Sequence, residues 1–308
     1  MGMSTIELVT LNGLPIDLLL ILLVLLVGLG VGLIAGLFGI GGGFLVVPAL
    51  HIILRIPVAM AVGVGACQVL GPATTSLLAR RISREQLRLP LTIAGGLVGG
   101  VLIGATLLNY ARNQSLEIDR SRVPIEDLIV LGTYLILLVG IGLFSLWEVH
   151  RDRQRRPLKR GWVTTWSIPP FGTFPEFQQS RMSVTVLSWF GLCVGLMAGL
   201  LGTSGGLILL PGLIYLFGVR THKAVATSLV IIWIAAAQAT IVHVWYGHIN
   251  AQTLLIVAAL LVGSTLGARL GSRFSEQLGG RTLRYGFGWL LLSVAVLIAV
   301  ELGDLVFI

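Results

Sequence analysis

The groups in this 308-residue chain best placed to do chemistry are backbone N–H groups in two glycine clusters. Gly32 to Leu50 reads GLIAGLFGIGGGFLVVPAL, and Gly195 to Leu213 reads GLMAGLLGTSGGLILLPGL. Gly32, Gly36, Gly39, Gly42, Gly43 and Pro48 recur, at a constant offset of 163, as Gly195, Gly199, Gly202, Gly205, Gly206 and Pro211. Each copy is an apolar run, a glycine cluster and a short second apolar run containing proline, which is how a helix interrupted inside a bilayer is written. The second helical piece opens with N–H groups that lack an intrahelical partner, and in hydrocarbon such groups are costly unless something accepts from them. An anion is such an acceptor, and the dipole at a helix N-terminus favours it. The predicted donors are Gly41, Gly42 and Gly43 in the first copy and Ser204, Gly205 and Gly206 in the second, with the hydroxyls of Thr203 and Ser204 added. The competing account is that these glycines only permit tight turns and close helix packing.

Polar side chains inside the apolar runs extend the candidate site. Gln68, Thr74 and Thr75 follow the first motif, and Thr227, Ser228 and Gln238 follow the second. All are neutral donors, although a Ser or Thr hydroxyl commonly bonds back to its own helix. The two glutamines are harder to satisfy that way. Carboxylates are nearly absent from the predicted spans, which argues against a metal-cation path and against a proton relay built on Asp or Glu. Four cationic or titratable residues lie near the motifs: His51, Arg55, Lys223 and His243. Arg55 and Lys223 can attract an anion or simply snorkel to the interface. His51 lies within the short broken segment and titrates near neutral pH. His243 is expected at the interface, near the end of its span. Cys67 and Cys193 sit in apolar runs without ligand-like spacing, so packing is their expected role, and neither a metal site nor a cofactor is predicted. Gly30 to Ala35 matches the loose dinucleotide pattern but has no strand before it. With no Walker A, no HExxH and no activated nucleophile, an enzyme is not expected.

The elements that must position these groups are membrane helices. Hydrophobic residues make up 56% of the chain and charged ones 11%, against about a quarter charged in soluble proteins. The net charge of +8 sits in short blocks between apolar runs rather than on one polar face, so nucleic acid is not an expected partner. The fold class expected is an all-α integral membrane protein of two inverted repeats, each of about five helical segments, one of them a glycine-interrupted short helix near the midplane. Residues 1–147 form the first repeat, 148–183 a basic and aromatic connecting segment, and 184–308 the second repeat. A small-residue seam of Gly96, Gly100 and Gly104 recurs at the same offset as Ala259, Gly263 and Gly267, extended by Gly271. Lys and Arg favour cytoplasmic loops, which places Arg80 to Arg88, the segment from Arg151 to Arg160 and the loop with Arg273 and Arg281 inside. Both termini, free of nearby Lys or Arg, are then outside, and the halves are inverted. The loop with Arg112, Arg120 and Arg122 dissents, partly offset by Glu117, Asp119, Glu126 and Asp127.

The paired motifs, together with GVRTHKAVATSL at Gly218 to Leu229, resemble the sulfite exporter TauE/SafE family, also described as toluenesulfonate-uptake permeases. The resemblance covers both halves and leaves out the connecting segment. It implies a cytoplasmic-membrane transporter for sulfite, sulfonates or related anions, often an exporter, with the small anion and the bilayer as partners and oligomerisation left open. Thr203-Ser204 stand where the first motif has Ile40-Gly41, so the half-sites are expected to differ chemically. The alternative to a transporter is a channel-like or structural membrane protein whose glycine motifs serve packing.

Overall fold

A computed structural model describes residues 10–11, 14–15, 18–38, 43–78, 87–118, 121–153, 161–166, 168–174, 177, 182–203, 205–277 and 280–307. The helices are α1 (Leu18–Phe38), α2 (Gly43–Leu54), α3 (Val58–Leu78), α4 (Arg88–Arg112), α5 (Ile125–Arg153), α6 (Val184–Leu201), α7 (Gly206–Pro211), α8 (Thr221–Trp245), α9 (Ala251–Gln277) and α10 (Gly280–Phe307). Eight of them are long and apolar enough to cross a membrane. Of the other two, α2 has 12 residues, and α7 continues through one π turn, Gly212–Leu216. Neither reaches across about 30 Å of hydrocarbon at 1.5 Å per residue. Pro211 removes one N–H from that second piece, and Phe217 N–H donates to the carbonyl five residues back, Gly212, at 3.3 Å. Short antiparallel pairs are the only strands among the described residues, the longest being Ser115–Ile118 with Ser121–Pro124 between α4 and α5.

Glycine seams hold the long helices together. A β-carbon added at Gly32 of α1 would lie 2.2 Å from the Ser264 carbonyl oxygen of α9, and one at Gly267 would lie 2.1 Å from that of Leu29. The same close approach joins α4 and α6, where a β-carbon at Gly100 meets the Leu192 carbonyl at 2.2 Å and one at Gly195 meets that of Leu97 at 2.3 Å. Both pairs run parallel, since Gly28, Gly32 and Gly36 meet Leu260, Ser264 and Ala268 in ascending order, and Gly96, Gly100 and Gly104 meet Ser188, Leu192 and Leu196. α5 and α10 pack antiparallel, with Gly142 against Gly288 and Leu292, and Ser145 donating to the Arg284 carbonyl at 3.0 Å.

The contacts correct one expected equivalence. Gly263, Gly267 and Gly271 meet Leu25, Leu29 and Leu33, whose counterparts at the motif offset are Ser188, Leu192 and Leu196, the neighbours of Gly96, Gly100 and Gly104. The counterpart of Gly100 is therefore Gly267, not Gly263, and that of Gly104 is Gly271. The second seam lies one helical turn further along than the motif offset predicts. Glycine spaced every four residues matches itself equally well after a one-turn slip, so only the packing partner identifies the register.

The connecting segment folds back onto α7. Gly161 N–H donates to the Tyr215 carbonyl at 2.9 Å, and Phe177 stacks between Phe174 and Phe217 at centroid distances of 6.1 and 6.3 Å. Trp162 and Trp166 stay exposed.

Candidate functional site

Breaking a helix in a bilayer requires the free ends to be held, and the two short helices are held in matching ways. At the C-terminal end of α2, Ile56 N–H donates to the Leu50 carbonyl at 3.2 Å. At the corresponding end of the second piece, Val219 N–H donates to the Leu213 carbonyl at 2.9 Å. Both are six-residue closures of the Schellman kind, which need a left-handed residue just inside them. Gly218 supplies it with φ +70°, and Arg55 supplies it with φ +53°. A non-glycine residue there costs about 1–2 kcal/mol, so Arg55 is retained for its side chain rather than its backbone.

That side chain forms an ion pair with Glu301 of α10. In the other half, the Tyr215 hydroxyl donates to Glu148 of α5, which Arg284 also reaches at 3.2 Å. The same two helices hold the upstream edges of the breaks. Tyr134 of α5 donates its hydroxyl to the carbonyl of Leu201, the last residue of α6, at 2.9 Å. Phe287 of α10 packs on Phe38 and Phe44, the residues flanking the first cluster, at 5.5 and 6.2 Å. Tyr134 and Phe287 are separated by the same number of residues as Glu148 and Glu301. Each half's last helix thus clasps the other half's broken helix at both ends.

The two motifs meet at α3. A β-carbon on Gly43, the first residue of α2, would lie 2.6 Å from Val69 of α3 and 3.7 Å from the Thr203 carbonyl oxygen. One on Gly65 would lie 3.2 Å from the Gly202 carbonyl oxygen, and one on Gly202 only 2.2 Å from that of Val62. Gly202 and Gly205 are left-handed, at φ +66° and +68°. Gly205 opens α7, its carbonyl accepting from Ile208 and Leu209 N–H at 3.1 and 2.9 Å. A β-carbon on Gly206 would meet only the flexible end of Ile232, at 3.2 Å, a tight contact that a small shift of that side chain relieves.

The predicted site residues separate into groups. Gly41, Gly42 and Ser204 lie outside the described residues. Gly43 and Thr203 come together, Gly205 and Gly206 pack on Val194 and Ile232, and Thr203 is buried. Buried Gln68 donates to the Ser264 hydroxyl at 3.1 Å, and Gln238 donates to the Val98 carbonyl at 2.8 Å; the side-chain oxygen of each is buried without a partner. Thr74 and Thr75 are exposed and bonded back to their own helix, at 2.7 Å to Leu70 and 3.0 Å to Pro72, and Trp233 donates to Thr74 at 3.0 Å. Ser228 likewise bonds to the Val225 carbonyl at 3.0 Å beside buried Thr227. Lys223 is half-buried in the first turn of α8.

The histidine expectations change more. His243 is fully buried two residues before the end of α8, its Nδ1 2.9 Å from Nδ1 of His248. Burial, then the charges of His243 and Arg112, push His248, in the turn after α8, down to about 3. His51 is buried and bonded through Nδ1 to the Ile56 carbonyl at 3.0 Å. Buried carboxylates are present after all. Asp127 and Glu301 are each 8% exposed. Sequence assigned them to polar ends because each lies at the boundary of an apolar run. Asp127 lies in the first turn of α5, and Glu301 lies six residues before the end of α10.

A cavity of about 510 Å³ lies between α1, α2 and α10, lined by Leu23, Val27, Leu45, Pro48 and other apolar side chains. It carries no donor, so it is not the anion site.

Eight apolar spans around two clasped broken helices define a multi-pass membrane transporter. The chain belongs to the sulfite exporter TauE/SafE family, whose profile matches residues 24–298. It is 23% identical over 269 residues to the probable membrane transporter protein YunE of Bacillus subtilis, covering 85% of this chain and 90% of that one. It is 25% identical over 264 residues to YjnA of the same organism, covering 85% and 93%. A probable membrane transporter protein of Xylella fastidiosa is 39% identical over 116 residues, 37% of this chain and 43% of that one. No solved structure matches.

Proposed function

We propose that the chain is a secondary transporter exporting sulfite, an organosulfonate or a related small sulfur anion, bound where the two glycine motifs meet. The observation that supports this reading is the approach of Gly43, the first residue of α2, to Thr203, three residues before the start of α7. Each such end carries the equivalent of about half a positive charge and unpaired N–H groups. Gln68 and Gln238 each retain a second amide N–H for an anion. Anion donors are drawn from residues 41–43 and 203–206, with no metal and no cofactor. Gly32, Gly36, Gly195 and Gly199 belong instead to the packing seams, as the rival structural account requires of glycine.

Inverted halves are part of this proposal, with membrane units at 1–147 and 184–308. Their support is directional. α1 runs parallel to α9, α9 reverses into α10, α10 is antiparallel to α5, and α4 ends beside the start of α5, with Ile125 N–H donating to the Gln114 carbonyl at 3.2 Å. α6 runs parallel to α4, and so opposite to its counterpart α1. With Arg80 to Arg88 inside, both termini face outside. Exchange of conformations between inverted halves would open the site to each side in turn.

Thermal stability of the detergent-purified protein against sulfite, thiosulfate, sulfoacetate, taurine, sulfate and chloride at matched ionic strength tests the anion reading. A ligand bound only by the folded state raises its apparent stability by an amount that saturates with concentration. The expected result is such a rise with a sulfur anion and none with chloride. Stabilisation by no sulfur anion, with no flux of any into liposomes, would sink it.

A further inference from the structure

Three of the five histidines, His51, His243 and His248, are buried, and among the described residues Nε2 of each has no hydrogen-bond partner. His243 and His248 satisfy one another through Nδ1. His51 does not have that option. Its Nδ1 faces the Ile56 carbonyl, which can only accept, so Nδ1 carries the hydrogen and the lone pair of the neutral ring is on Nε2. A bare, buried Nε2 is the atom on which a proton would land.

The charged groups around that atom come from several helices. His51 is in the last turn of α2, where the helix dipole stabilises a cation. Asp127, in the first turn of α5, senses His51 and Glu301 electrostatically and is buried. α10 contributes Glu301, already paired with Arg55, and exposed Asp304 lies one turn beyond. Glu126, next to Asp127, has Arg112 of α4 as its cationic neighbour. α1 and α3 contain no charged residue. Arg55 is committed to Glu301, so among the described residues Asp127 has no fixed cation within ion-pair distance. An ionised Asp127 would be a costly unpaired charge there, and a proton on His51 would compensate it.

We propose that Nε2 of His51 is the proton-binding site of the transporter, and that it is loaded together with an anion at the opposite end of α2. This rests on the anion site proposed above. The step is a simple protonation: the Nε2 lone pair takes a proton from water, giving an imidazolium against the Asp127 carboxylate. Anion at the N-terminus and cation at the C-terminus both complement the dipole of one 12-residue helix. The opposite charges at the two ends also attract one another, so each favours binding of the other.

Purified full-length protein in liposomes containing the pH dye pyranine, with the membrane potential clamped by potassium and valinomycin, separates the possibilities. Methanesulfonate and sulfate are used beside sulfite, because the first two remain ionised at neutral pH and carry no proton themselves. Entry of either with acidification of the lumen is expected, and His51→Gln should lose the acidification while keeping saturable thermal stabilisation by the anion. Asp127→Asn should weaken the coupling in the same direction. Entry of methanesulfonate or sulfate into wild-type liposomes with no pH change overturns the proposal, and needs no variant to fold. Where sulfite alone enters, equal acidification per anion by wild type and His51→Gln overturns it. Failure of all three anions both to enter and to stabilise overturns the anion reading itself, and this proposal with it.

Discussion

At the scale of single residues, the motif glycines do different jobs, and the structure selects the informative substitution. Gly205→Ala is a poor probe of binding, because a β-carbon there meets Val194 at 2.4 Å and the backbone is left-handed. Gly206→Ala meets only the tip of Ile232, and φ there is not positive, so the fold should survive. It should weaken binding of the stabilising sulfur anion by roughly tenfold, about 1.4 kcal/mol, through steric crowding of the α7 N-terminus. Ligand-dependent melting of a monodisperse preparation checks this; unchanged affinity would remove Gly206 from the site. Arg55→Gly relieves a left-handed residue but strands buried Glu301, and losing the partner of a buried charge costs about 1–3 kcal/mol or more. A lower melting temperature is expected, with recovery in Arg55→Gly combined with Glu301→Gln. His248 supplies a pH prediction. Its folded value of about 3 lies below its ordinary 6.5, so its contribution is whole above about 6.5 and is lost as pH falls from there toward 3, where the unfolded chain binds a proton the folded one refuses. The melting temperature should fall between pH 7 and 5, and His248→Gln should flatten that slope.

At the scale of elements, parallel seams and reciprocal clasps explain why glycine is so frequent. Forty glycines would weaken ordinary helices, each by about 1 kcal/mol relative to alanine, unless close approach compensates. Only some glycines have that compensation. Gly195 has the Leu97 backbone within 2.3 Å of an added β-carbon, whereas Gly99, on the same interface helix as Leu97, has nothing within 4 Å. Gly195→Ala should therefore destabilise by about 1–3 kcal/mol through overpacking, and Gly99→Ala should be neutral or slightly stabilising. Comparison of their melting curves tests the seam directly. The seams were legible from spacing, but the partner of each was not. Four-residue spacing specifies a stripe on one helix, and the choice of α9 for α1, and α6 for α4, depends on which surfaces the whole bundle brings together.

At the scale of the whole molecule, inverted halves predict that both termini face the same side, opposite the basic connecting segment. Single cysteines placed at residue 3, residue 306 and residue 157 in a chain lacking Cys67 and Cys193 should label accordingly with an impermeant reagent in intact cells: the first two reactive, the third protected. Either terminus on the same side as residue 157 would overturn the inverted arrangement, and both termini protected with residue 157 reactive would reverse the orientation alone. The amino-acid order by itself determined the membrane class, about five helical segments per half with one of them short, and the duplicated motif, because hydrophobicity and glycine spacing are local properties that a bilayer reads directly. Tertiary structure alone decided that Arg55 meets Glu301 and Tyr215 meets Glu148, that His243 pairs with His248, and that Asp127 comes under the field of His51. Arg55 and Glu301 are 246 positions apart, and a carboxylate at the end of an apolar run looks solvated until its neighbours from other helices are known. Burial belongs to the assembled bundle, and no single helix specifies it.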